Sequence, residues 1–208
     1  MRFKLFLLLA LAPVPALAQS SRGPAPRGNP SELVAAESAL AHLARDDLAR
    51  GRGANAAMQF YADDTARTWV KTHDAAPWFV DRQTSEVWAS CDGTAGVSTG
   101  LWRGGWFATV WKQQKKFNYK WVLADAGPLT VMPPAPDWVT GKLADCPARV
   151  PHPEGTLRPL PAAIPAPGPA DHDGRSDDGS LVWRSTDGTH HLTVWAWQNG
   201  AMKPVIER

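Results

Sequence analysis

The stretch that decides the fold runs from Ser85 to Ala126, SEVWASCDGTAGVSTGLWRGGWFATVWKQQKKFNYKWVLADA. It holds four strand-like runs, Ser85 to Cys91, Thr94 to Trp102, Trp106 to Gln113 and Tyr119 to Ala126. Asp92-Gly93, Arg103-Gly104-Gly105 and Lys115 to Asn118 separate them. β-Branched and aromatic runs bounded by such turn residues read as an antiparallel meander. Residues two apart share a face of a strand. Phe107, Thr109 and Trp111 are therefore expected on one side, and Tyr119, Trp121, Leu123 and Asp125 on one side of the next strand.

Upstream, Asn29-Pro30-Ser31-Glu32 has the form of a helix start. Asn29 can cap, Pro30 suits the first helical position, and Glu32 can bond back to the cap. Leu33, Ala36, Leu40, Leu43 and Leu48 follow at helical spacing, with Glu37, Arg45 and Asp46 off that stripe. Gly51 and Gly53 end it. A short second helix over Ala54 to Tyr61, a turn at Asp63-Asp64, a strand over Thr65 to Val70 and a helical turn around Pro77 are expected next.

Downstream, Pro128 to Ala170 holds twelve prolines and reads as a stiff extended connector, taken as residues 128–178. Residues 179–208 then contain strand-like pieces at Leu181 to Thr186, Leu192 to Gln198 and Lys203 to Glu207. Asp187-Gly188 and Asn199-Gly200 are strong hairpin signals. So small a β segment is marginal alone in water, and it is expected to add to, or lie against, the main sheet. No internal repeat is apparent. Helices followed by an antiparallel sheet place the chain in the α+β class.

Residues 1–18 read as a secretory signal: Arg2 and Lys4, an apolar run from Leu5 to Leu11, and Ala16-Leu17-Ala18 before a cut. Residues 19–28 form a flexible lead. A periplasmic or secreted location is expected, and an oxidising compartment favours pairing the only two cysteines, Cys91 and Cys146. They lack zinc-site spacing, so no metal is expected. The chain has 22 Lys+Arg and 20 Asp+Glu, and loss of the leader balances the two signs. That gives no support for nucleic-acid binding. No later window of about twenty apolar residues predicts a membrane span.

Phe60-Tyr61-Ala62-Asp63-Asp64, Val87-Trp88-Ala89-Ser90-Cys91-Asp92-Gly93, Thr109-Val110-Trp111-Lys112 and Tyr119-Lys120-Trp121-Val122-Leu123, in this order, carry a resemblance. Residues 29–127 resemble the ketosteroid-isomerase-like superfamily, also called nuclear-transport-factor-two-like or SnoaL-like, in its secreted bacterial branch of unknown function. The resemblance implies a cone-shaped roll, with N-terminal helices packed in a curved sheet, a pocket at the open end, and a homodimer through the sheet. No cofactor is expected. Superfamily members include isomerases, dehydratases, cyclases and non-catalytic binders, so fold does not choose among them.

Isomerase chemistry requires an Asp base with Tyr and protonated Asp donors. Only Tyr61 and Tyr119 are present, and three positions do not match that set. The candidates for acid–base work are Asp125, at a strand end, His73, beside Asp74, and Asp64, in a turn. Each has a plain structural reading as a solvated turn or strand-end residue. Trp69, Trp78, Trp88, Trp111 and Trp121 are the candidate ligand-binding set, with core packing as their plain reading. The sequence is read as an exported binder of a small apolar or aromatic ligand, without catalysis. The alternatives are an acid-using isomerase, dehydratase or cyclase, and an envelope interaction module.

Overall fold

The computed structural model describes residues 27–46, 81–115, 118–146, 164–186 and 191–208. Within them the fold is mixed α+β: one helix and two largely antiparallel sheets. Helix α1 spans Pro30–Asp46. Asn29 caps it, its Oδ1 accepting the Ser31 N–H at 3.1 Å while its amide donates to Glu32 Oε1 at 3.4 Å. Leu33 and Leu40 bury one face of α1 as the spacing predicts, but Glu37 is buried with them. The expectation that Glu37 stands off the packed stripe is corrected: its partner is a cation on a distant strand.

The first sheet comprises β1 (Arg82–Ala89), β2 (Ala95–Trp102), β3 (Gly105–Lys115), β4 (Asn118–Pro128) and β5 (Thr140–Leu143), in the order β4-β3-β2-β1-β5. Strands β1 to β4 form the expected meander, and β5 pairs parallel to β1. Val87, Ala89, Trp111, Tyr119 and Trp121 pack against Leu33 and Leu40. Trp88, Val97, Trp106 and Val110 point to the opposite side. A bulge between Val110 and Trp111 shifts the register, so that Val110 faces Leu123 while Trp111 faces Trp121. The extra residue reverses the alternation of β4. Leu123 therefore joins the core away from α1, and the sequence-based grouping of Leu123 and Asp125 with Trp121 is corrected.

The second sheet comprises β6 (Asp171–Arg175), β7 (Leu181–Thr186), β8 (His191–Gln198) and β9 (Ala201–Glu207), again a meander. It lies across the face of the first sheet opposite α1. Leu181, Trp183, Leu192, Val194 and Ile206 form one core with Val97 and Val110. The expected homodimer face is thus occupied by the chain's own second sheet. Full burial of each such Val or Leu is worth about 1.5–3 kcal/mol, which explains why 179–208 does not stand alone. The β8–β9 turn is formed by Asn199 and Gly200 with φ of 52° and 82°. Two consecutive left-handed residues are the type I′ geometry that Asn-Gly favours.

The connector reading of 128–178 is corrected at both ends. β5 and β6 lie inside it, and neither sequence, TGKL or DHDGR, shows apolar alternation. Both are short edge strands, where alternation is not needed. Cys146, just past β5, is disulfide-bonded to Cys91 at the end of β1, with Cα atoms 5.1 Å apart. The Ala144 N–H donates to Ala89 O and the Asp145 N–H to Trp197 O, so this segment ties the two sheets together. The helical stretch at 54–61, the strand at 65–70 and the Asp187-Gly188 turn lie outside the described residues.

Candidate functional site

Positions 34, 37, 38, 41 and 42 recur at three- and four-residue intervals, so Val34, Glu37, Ser38, Ala41 and His42 share one side of α1. That side meets the first residues of β1, Arg82, Gln83 and Thr84, and the segment Pro136 to Val139. Together they enclose a cleft of about 270 Å³. Gln83 Nε2 donates to Pro136 O at 3.0 Å, which fixes the far wall to β1. Trp138, 73% exposed, stands on the rim. Val131, Met132 and Val139 are exposed on the same connecting segment.

The cleft floor is an ion pair. Glu37 Oε1 lies 2.5 Å from Arg82 Nη2, and the two side chains are 4% and 1% exposed. Ser98 Oγ donates to Glu37 Oε2 at 2.5 Å, and Trp111 Nε1 donates to Ser98 Oγ at 2.9 Å. Arg82 Nη1 donates to Thr109 Oγ1 at 3.3 Å, and its guanidinium stands 4.9 Å from the Phe107 ring centre. Burial lowers the Arg82 pKa from its ordinary value, and the Glu37 charge opposes that fall. A buried charge persists only when paired and hydrogen-bonded; Glu37 meets both conditions through Arg82 and Ser98. Oε1 faces the Arg82 guanidinium and Oε2 accepts from Ser98, so both oxygens are engaged.

Of the residues singled out from sequence, the structure brings together Trp111 with Trp121 and Cys91 with Cys146. Trp88 is buried in the core between the sheets, whereas Trp111 and Trp121 are buried against α1. Asp125 is half-buried opposite Ala108, and its Oδ1 accepts the Ala126 N–H at 2.8 Å. His73, Asp64, Trp69 and Trp78 lie outside the described residues. The Tyr119 hydroxyl donates to Gly93 O, so it is engaged with backbone and does not line the cleft. Burial, then the charges of Glu32 and Asp92, push its pKa up to about 12. Cys91 and Cys146 form the disulfide described above. Among the described residues no group of three His, Cys, Asp or Glu side chains is placed to hold a metal.

Sequence reasoning missed Glu37, Arg82, His42 and Trp138. A charged residue one turn before Leu40 on an apolar helix face was the available sign for Glu37; its partner, 45 residues on, carries no local signal. No family model, curated protein or solved structure matches the chain. Among the described residues no helix is long and apolar enough to cross a membrane.

Proposed function

We propose that this is an exported protein that binds a small, flat ligand of mixed polarity in the cleft between α1, the start of β1 and Pro136 to Val139, without transforming it. The observation that carries the reading is the cleft's make-up: an aromatic rim at Trp138 above a fixed, charged floor at Glu37–Arg82. Apolar walls with a few positioned polar groups are the usual composition of ligand sites. Val34, Ala41, Pro136 and Val139 supply the former, and Ser38, His42, Gln83, Thr84 and Asp137 the latter. This shifts the expected ligand from apolar or aromatic to amphipathic. The cone-shaped roll and membership of the ketosteroid-isomerase-like superfamily belong to the same proposal. They are supported by a helix packed on one face of a four-stranded meander.

The acid-using enzyme is the second reading, because Glu37 is a buried acid within the cleft. Engagement of both its oxygens favours binding. A thermal-shift screen of the mature chain against bicyclic aromatic amines, alcohols and carboxylates tests the proposal. Members carrying one polar group should raise the melting temperature in the wild type and not in Trp138→Ala. Consumption of a stabilising compound during incubation would replace the binding reading by the enzymatic one.

A further inference from the structure

We infer that the two meanders, β1–β4 and β6–β9, are two copies of one structural unit docked on each other across a local two-fold axis. Each sheet docks through one face on the second copy of the unit. The sequence shows this only faintly, as Ser90-Cys91-Asp92-Gly93-Thr94 and Ser176-Asp177-Asp178-Gly179-Ser180, whose aspartates are 86 residues apart.

The two loops make the same bonds. Ser90 Oγ and Ser176 Oγ each donate to the aspartate two residues on at 2.7 Å. The N–H groups of Thr94 and Ser180 each donate to that aspartate's Oδ1 at 2.9 Å. The next residues, Ala95 and Leu181, each donate an N–H back to the first serine hydroxyl. Gly93 and Gly179 hold φ of 76° and 70°, the left-handed geometry glycine tolerates best.

The likeness extends into the strands. Val97 pairs with Val110 as Trp183 pairs with Val194, and Ser98 with Thr109 as Arg184 with Thr193. One bulge falls at the same step in both, between Val110 and Trp111 and between Val194 and Trp195, while the shifts at Thr84/Glu86 and Gln113/Lys115 are confined to the first unit. Two independent meanders have no reason to share a register, a first-loop geometry and a bulge position. A bulge is a built feature of its strand pair.

The contacts between the units are reciprocal, as an isologous interface requires. The Asp92 N–H donates to Asp178 Oδ2 at 3.0 Å, and the Asp178 N–H donates to Asp92 Oδ2 at 2.8 Å. The Cys91 N–H donates to Ser180 Oγ at 2.8 Å, and the Asp177 N–H donates to Thr94 Oγ1 at 2.9 Å. The copies have diverged on their outer faces. Where the first carries Ser98, bonded to Glu37 of α1, the second carries Arg184, paired with Asp173 and donating to Pro165 O. The ligand cleft therefore belongs to the first copy, and the second acts as its internal partner.

Thermal melts of the full chain test the inference. Asp92→Ala and Asp178→Ala should lower the midpoint by amounts within about 2 °C of each other, with the double variant falling short of their sum. The residue exchange Thr94→Ser with Ser180→Thr, which gives each copy the other's hydroxyl, should leave the midpoint within about 2 °C of wild type. Unequal single losses, or an exchange variant that melts as low as Thr94→Ala with Ser180→Ala, would overturn it. If the alanine variants do not fold, the exchange variant decides the matter alone: a midpoint more than about 5 °C below wild type overturns the inference.

Discussion

Glu37 on α1 and Arg82 at the start of β1 form a buried ion pair, 2.5 Å between Oε1 and Nη2, at the floor of the cleft that joins helix, sheet and connecting segment. Taking either charge away leaves the other in a site built for two. Arg82→Ala or Glu37→Ala should each cost about 3–5 kcal/mol, whereas Glu37→Leu with Arg82→Met should recover most of the loss. Urea denaturation of the three variants checks this. Single variants within about 0.5 kcal/mol of wild type would place the pair among weak surface-like bridges.

Tyr119 gives a pH signature. Its pKa is raised from 10 to about 12 by burial, so the folded state holds the phenolic proton more tightly than the unfolded chain. The contribution to stability is complete below about pH 10 and is lost as the pH rises towards 12. Tyr119→Phe should flatten that decline. Ultraviolet titration of the two tyrosines should show one phenolate forming near pH 12; both titrating near pH 10 contradicts the placement of Tyr119.

The Cys91–Cys146 bond closes a 55-residue separation, for which the chain-entropy relation gives about 4 kcal/mol. Replacing both cysteines by serine should lower stability by an amount of that order and loosen β5 first. Amide exchange at Gly141 to Leu143 is the readout. Unchanged protection there would show that the parallel pairing with β1 holds without the covalent tie.

The meander was legible because period-two alternation is strong in Phe107, Thr109 and Trp111, and Asn199-Gly200 has one preferred turn geometry. What was hidden had physical causes. β5 and β6 are short polar edges, held by Cys146 and by Arg184 contacts that sequence order does not display. One extra residue in β4 moved Leu123 to the other face. Glu37 looked solvent-bound because the charge that allows its burial is Arg82. Trp88, Trp111 and Trp121 are buried in the two cores, whereas Trp138, in a proline-rich run with no period to mark its exposure, stands out from the surface.

Trp138 is 73% exposed and contributes little packing, so Trp138→Ala should leave the melting temperature within about 2 °C of wild type. A loss of several degrees would show that the rim holds the connecting segment in place.

The most direct test of ligand binding at this cleft is an NMR titration of the uniformly 15N-labelled protein with a bicyclic aromatic amine, following the indole N–H signals and the backbone amides of α1. The account predicts saturable shifts at the Trp138 indole, Ser38 and His42, abolished by filling the cleft with Ala41→Trp. Shifts confined to other tryptophans, or persisting unchanged in Ala41→Trp, would contradict it.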